Sequence, residues 1–153
     1  MIPKKKIFIT GGAGYVGSVL VPILLSKGFN VIVYDLFIFG ERVLPKHPNL
    51  KTIKGDIRNL NLLERSINKI DFFIHLACIS NDPSFEMNPS LGKSINYDCF
   101  EDILNISLKS NVKHFIYASS SSVYGIKKQQ NVTENDTLEP LTDYSFYKMR
   151  CEE

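Results

Sequence analysis

The sequence predicts an α/β fold, a doubly wound parallel sheet of Rossmann type with helices on both faces. Three observations carry that expectation. Short runs rich in β-branched and aromatic residues alternate with longer segments of helical periodicity. The short runs show little polar alternation, as strands buried on both faces do. The first run ends in a glycine cluster, TGGAGYVGS at 10–18, which opens a helix.

The elements follow in order. KIFIT (6–10) reads as the first strand, stopped by two glycines. Residues 14–27 read as a helix with Val16, Val19, Leu20, Ile23 and Leu24 on one face. Pro22 should kink it or cost a hydrogen bond near Ser18, and Gly28 should close it. FNVIVYD (29–35) and LKTIKGD (50–56) are the second and third strands. A short helix over 60–69 leads to the fourth strand, DFFIHLA (71–77). One long helix is expected from Pro89 to about Ser110, with Leu91, Ile95, Phe100, Ile103, Leu104 and Leu108 apolar. VKHFIYASS (112–120) is the fifth strand, 121–142 a polar loop, and a helix starts at Asp143. No repeat, low-complexity tract or domain boundary interrupts the 153 residues.

Composition narrows the function classes. With 44% hydrophobic and 22% charged residues the chain reads as one globular domain. A net charge of +2 with scattered lysines gives no footing for nucleic acid, and Lys4-Lys5-Lys6 reads as a solvated strand entrance. The apolar run after it breaks at Thr10, too early for a signal peptide. Nothing approaches the roughly 18 apolar residues of a membrane span. Cys78, Cys99 and Cys151, an odd set without a CxxC pair, suggest reduced thiols and a cytoplasmic protein. No metal site is expected.

The glycine loop carries the first chemical expectation. Gly11, Gly14 and Gly17 recur every third residue between a strand and a helix. Such a loop makes a tight turn and offers backbone without Cβ to a pyrophosphate. The helix N-terminus behind it attracts the anion with free N–H groups and its dipole. Asp35 ends the second strand, where a carboxylate accepts from both ribose hydroxyls and repels a 2′-phosphate, which favours NAD over NADP. Asp56, at the end of the third strand, can accept from the adenine amino group or simply form a turn.

The second expectation is acid/base chemistry. Tyr144 and Lys148 stand at i, i+4, on one side of a helix. A lysine ammonium and a cationic nicotinamide would favour tyrosinate and lower a pKa that starts at about 10. Ser120 ends the fifth strand, at the carboxyl edge where such sheets bind ligands, and its hydroxyl can hold a substrate oxygen.

TGGAGYVGS, Asp35, GDIRN (55–59), HLA (75–77), INYD (95–98), ASSSSVYG (118–125) and YSFYK (144–148) follow one another as in the extended short-chain dehydrogenase/reductases. The whole chain resembles the N-terminal half of their NAD-dependent nucleotide-sugar epimerases and dehydratases. The resemblance implies that Gly11, Gly14 and Gly17, with the amides of Tyr15 and Val16, bind pyrophosphate, and that Asp35 binds the adenosine ribose. Asp56 and Ile57 would contact adenine, Leu76 and Ala77 flank the cofactor, and Asn96 hold the active-site end of the long helix. Tyr144 would be the base, with Lys148 lowering its pKa and holding the nicotinamide ribose, and Ser120 the catalytic serine. Ser80 in the SNDPS loop, together with Ser120 and Ser122, would meet the sugar of a nucleotide-sugar substrate.

Departures refine this picture. Dehydratases of the family carry Thr-Asp-Glu where this chain has Ser120-Ser121-Ser122. Serines titrate too high to serve as the extra acid and base of water elimination, so epimerase or reductase is favoured over dehydratase. Cys78 reads as a small apolar filler and His75 as a satisfied core histidine. Family members run to about double this length. The resemblance therefore implies an incomplete NAD-binding domain over 1–153, with the last strands and the C-terminal substrate domain absent, and a homodimer for the intact protein. The alternative is an NAD-binding module or fragment without activity of its own.

Overall fold

The computed structural model describes residues 5–153, so Lys4 of the basic run lies outside the described residues. The chain forms two compact units. The first comprises the residues up to Ala77 together with Glu101–Ala118, and the second comprises Cys78–Phe100 and Ser119–Glu153.

The first unit holds five parallel strands: β1 (Lys6–Thr10), β2 (Asn30–Asp35), β3 (Leu50–Lys54), β4 (Phe72–His75) and β5 (His114–Tyr117). Their order is β3-β2-β1-β4-β5. β1 is central; Phe8 lies opposite Ile32 on one side and Phe73 on the other. Helices α1 (Tyr15–Ser26), α2 (Leu60–Ser66) and α5 (Phe100–Lys109) connect the strands. With all strands parallel, each connection is a crossover, as the buried apolar runs predict. Ile7, Ile9, Val31, Val33 and Ile74 pack one core with Val21 and Leu25 of α1. Phe8 lies between Tyr34 and Phe73, with ring centroids 6.0 and 5.1 Å away.

The face of α1 differs from the sequence expectation. Gly17, Val21 and Leu25 are buried, whereas Val16, Val19 and Ile23 are exposed. The helix is apolar nearly all round, so periodicity alone did not select the inward stripe; the close approach at Gly17 does. Pro22 is carried inside the helix. His75 is a satisfied core residue, its Nδ1 2.7 Å from the Thr10 hydroxyl.

At the amino ends of the strands Asp71 ties three of them together. Its carboxylate accepts from Lys6 N–H at 2.9 Å and from Lys113 Nζ at 2.5 Å. Its backbone carbonyl accepts from the amides of Lys113 and His114. The Lys113 hydrogen bond, helped by that from Lys6 N–H, holds the carboxyl below the usual range.

The second unit is helical. α3 (Asp82–Glu86) stands where a loop was expected. Asn81 caps it, accepting from Ser84 N–H, and Pro83 lies in its first turn. α4 (Pro89–Lys93), capped by Asn88, runs into a π-helical turn, Ser94–Asp98, ahead of α5. The single long helix of the sequence reading is thus interrupted. Phe100, Ile103 and Ile106 are buried, while Leu91 and Leu108 are exposed. The π turn adds a residue to one turn and rotates the face that follows. A 3₁₀ turn at Ser121–Tyr124 interrupts the polar segment, and α6 spans Asp143–Arg150.

Candidate active site

The glycine loop is shaped by close backbone approaches. Gly11 has φ +71°, and a Cβ there would lie 2.5 Å from Ala77 N. A Cβ on Gly17 would lie 2.3 Å from the Gly12 carbonyl oxygen, so only glycine lets α1 start this close to the loop. The Tyr15 and Val16 side chains at the start of α1 are exposed, at 94% and 56%. Gly14 precedes α1 as its N-cap without a side-chain cap. This bare N-terminus, with its free N–H groups, suits a pyrophosphate.

Asp35 is fixed beside the loop. Its Oδ2 accepts from Ala13 N–H at 2.9 Å and its Oδ1 from Phe37 N–H at 2.7 Å. These bonds orient a carboxylate at the end of β2, as the donor set of a ribose diol requires. The Gly11 cradle and Asp35 together fit a dinucleotide. Asp56 is more committed: its carboxylate is forked by Arg58 through Nε at 3.0 Å and Nη2 at 2.6 Å. That hydrogen bonding keeps the carboxyl well below its ordinary value. Asp56 also accepts from Arg58 N–H, so the turn-forming role open in the sequence is present. Its carbonyl accepts from the Tyr34 hydroxyl, and Ile57 is buried. Leu76 N–H donates to Thr10 O, and the Ala77 backbone is the wall facing Gly11.

The second unit brings the catalytic candidates together. Thr142 caps α6 in a capping box with Ser145. This positions Tyr144 and Lys148 one turn apart, both buried, with the Lys148 ammonium 5.9 Å from the Tyr144 ring centroid. Ser120 sits before the 3₁₀ turn; its Oγ lies 2.8 Å from that of Ser122 and accepts from Ser122 N–H. Burial pushes the Tyr144 hydroxyl above the ordinary tyrosine range, and the nearby Cys78 acts in the same direction. Hydrogen bonds from the Ser120 side chain and the Asn81 backbone N–H oppose this. The lowering expected from the sequence, by lysine and a cationic nicotinamide together, would have to work against this burial. The difference is desolvation, which the spacing of two residues cannot reveal.

Asn96 lies buried in the π turn. Its Oδ1 accepts from Ile79 N–H at 2.8 Å and its Nδ2 donates to Ile79 O at 2.9 Å. The side chain thus fixes the segment after Cys78, with both amide groups spent on protein backbone. Ser80 is exposed on that segment. α6 is anchored along its length: Tyr147 stacks near Tyr97 with ring centroids 5.1 Å apart, and Cys151 Sγ donates to Asn96 O. The Ser119 hydroxyl donates to Glu152. The sequence offered Asn81 and Asp82 only as members of the SNDPS loop, expected to meet the sugar, although an Asn-Asp-Pro run is a helix-start pattern. Among the described residues no cluster of metal ligands occurs, and no helix is long and apolar enough to cross a membrane.

The chain is 33% identical over 149 residues to a UDP-glucose 4-epimerase of Lactobacillus helveticus, covering 96% of this chain and 45% of the relative. A solved UDP-N-acetylglucosamine 4-epimerase from Methanobrevibacter ruminantium M1, in complex with UDP-N-acetylmuramic acid, superposes with a TM-score of 0.89 at 29% identity, over 97% of this chain and 48% of that one. The Bordetella bronchiseptica enzyme WbmG in complex with NAD gives 0.86 at 27% identity, over 99% and 50%. The chain thus spans about half the length of the relatives it matches. Residues 7–153 match the model of one family, and with the sheet order and glycine loop already described, the chain belongs to the NAD dependent epimerase/dehydratase family.

Proposed function

We propose that this chain is the cofactor-binding and acid/base portion of an NAD-dependent nucleotide-sugar epimerase. The observation that carries the reading is the burial of Tyr144 and Lys148 on one turn of α6, with the Lys148 ammonium 5.9 Å from the Tyr144 ring centroid. A module that only bound a dinucleotide would need none of the three together. The likeness to a UDP-glucose 4-epimerase supports the substrate class.

Gly11, Gly14 and Gly17, with the amides of Tyr15 and Val16, would hold the pyrophosphate, and Asp35 the adenosine ribose. Asp56 and Ile57 would meet adenine, Leu76 and Ala77 flank the cofactor, and Lys148 hold the nicotinamide ribose. NAD, when bound, supplies reversible hydride acceptance. Tyr144 takes the proton of a sugar hydroxyl and returns it. Ser120 holds the substrate oxygen and, with Ser122, orients the sugar; Ser80 extends the same contact. Lys148 adds positive charge that favours tyrosinate. Asn96 acts through Ile79 to hold the segment before Ser80.

Ser121 and Ser122, at the positions where dehydratases of the family carry Asp and Glu, favour epimerase over dehydratase, because neither hydroxyl is an acid or base near neutrality. Reductase chemistry is the second reading. The intact protein is proposed to be a cytoplasmic homodimer with a substrate domain beyond these residues.

The test is a protein that carries this chain at the full length of its relatives, assayed with UDP-hexoses and NAD. Epimerisation is expected, and Tyr144→Phe should lower kcat by about a thousandfold while NAD still binds. An active Tyr144→Phe protein would remove tyrosine from the chemistry, and release of a dehydrated product would favour the dehydratase.

A further inference from the structure

The segment ahead of α3 makes contacts that its sequence does not explain. Asn81 has φ +73° and ψ 155°, a backbone region that residues other than glycine rarely occupy. The strain is held by two neighbours. Asn81 Oδ1 accepts from Ser84 N–H at 3.0 Å, and Asn81 O accepts from Phe85 N–H. The Asn81 backbone acts on the Tyr144 hydroxyl, lowering its proton affinity against the effect of burial. The next residue, Asp82, accepts a hydrogen bond from the Thr142 hydroxyl, the cap of the helix that carries Tyr144. Phe85 completes the contact, meeting the Tyr144 ring edge-on with centroids 6.3 Å apart. Gly92 leaves room for it, since a Cβ there would lie 2.6 Å from the Phe85 ring. A cleft of about 240 Å³ opens at this junction, lined by Asp82, Phe85, Glu86, Pro89, Leu141 and Tyr144 among others.

We propose that Asn81 and Asp82 are positioning residues for Tyr144: the strained Asn81 aims its N–H at the phenol oxygen, and the Asp82 carboxylate clamps Thr142 and so fixes the first turn of α6. This rests on the reading of Tyr144 as the acid/base group. A backbone N–H on the phenol oxygen stabilises tyrosinate without adding a proton donor that could compete in catalysis. The Asp82 charge has the opposite sign of effect. It disfavours tyrosinate in the same direction as burial and Cys78, which act more strongly. The charged and titratable groups facing Tyr144 are Cys78 and Asp82 on the preceding segment, Lys148 on α6, and Asp143 and Glu86 around the cleft.

The experiment follows Tyr144 directly and needs no turnover. The 153-residue chain is labelled at tyrosine Cζ, and the Tyr144 resonance is assigned by its loss in Tyr144→Phe. Asp82→Asn keeps an acceptor for Thr142 but removes the charge, so Tyr144 should titrate at lower pH than in the parent. Thr142→Val removes the clamp; the amides of the first α6 turn should exchange at least tenfold faster, and Thr142→Ser should restore them. Asn81→Gly relieves the strain and keeps the N–H, so the melting temperature should rise with the Tyr144 titration unmoved. An unchanged Tyr144 titration in Asp82→Asn, with amide exchange unchanged in Thr142→Val, overturns the proposal. A melting shift without either change would mark the contact as an ordinary tether and also overturns it. Because the readout is proton affinity and exchange, its failure is separate from a failure to epimerise sugars.

Discussion

At the scale of single residues, the site separates into groups that the sequence determines and groups that only packing determines. Gly11 is of the first kind. Its positive φ and the backbone wall at Ala77 leave no alternative to glycine. Gly11→Ala is expected to weaken NAD binding at least tenfold, read by titration calorimetry, because the loop must move away from the position that receives the pyrophosphate. Asp35 was equally legible, standing at the end of a strand that follows the loop. Tyr144 was legible as a residue but not as a titrating group. Its burial raises the pKa, and the other groups that act on it, Cys78, Ser120, Asn81 and Asp82, are all distant in sequence. The sign of the pH effect follows. A tyrosine whose folded pKa is raised stabilises the fold below the ordinary value, and that contribution is lost as pH rises through the folded value. The parent chain should therefore lose melting temperature in alkali, and Tyr144→Phe should flatten that decline.

At the scale of elements, all five strands were read in place, β1 and β2 to within a residue, because apolar β-branched runs closed by glycine or aspartate leave little choice, whereas the strands expected over 71–77 and 112–120 are shorter, Phe72–His75 and His114–Tyr117. The helices were read less well, and for two distinct reasons. α1 is apolar on nearly every side, so composition could not identify the inward stripe. α3 is five residues long, with Asn, Asp and Pro at its start, and turns share that composition. Asp71 illustrates what single-sequence patterning misses altogether, since its partners Lys6 and Lys113 lie 65 and 42 residues away. Asp71→Asn should cost about 1 kcal/mol at neutral pH, measured by urea unfolding. The Asp71 pKa is lowered in the fold, so this contribution is present above the ordinary carboxyl value and fades as pH falls through the folded one. Parent and variant should converge in acid.

At the scale of the whole molecule, the residues proposed for the cofactor lie mainly in the first unit and the acid/base residues in the second. The first unit has a core of its own, centred on Phe8, Phe73 and Tyr34. Phe8→Ala should destabilise the chain by about 3–5 kcal/mol, enough to abolish a cooperative melting transition. The chain spans about half the length of the relatives it matches. The 153 residues alone are therefore expected to bind NAD weakly, with no measurable epimerisation; tight binding with turnover by calorimetry and coupled assay would contradict that expectation.

The π turn at Ser94–Asp98 gives the helix a counting error that the protein uses. Inside the turn Asn96 bonds both backbone groups of Ile79, and further along α5 Ile103 and Ile106 are buried. Removing a single residue from the turn would give a more regular helix and a worse protein. The backbone would gain ordinary hydrogen bonds, and every side chain ahead of the deletion would rotate by about 100° relative to those behind it. Asn96 or the isoleucines would then have to give up their partners. A length change of one residue, harmless in most surface loops, would there cost the segment leading to Ser80 the two hydrogen bonds that hold Ile79.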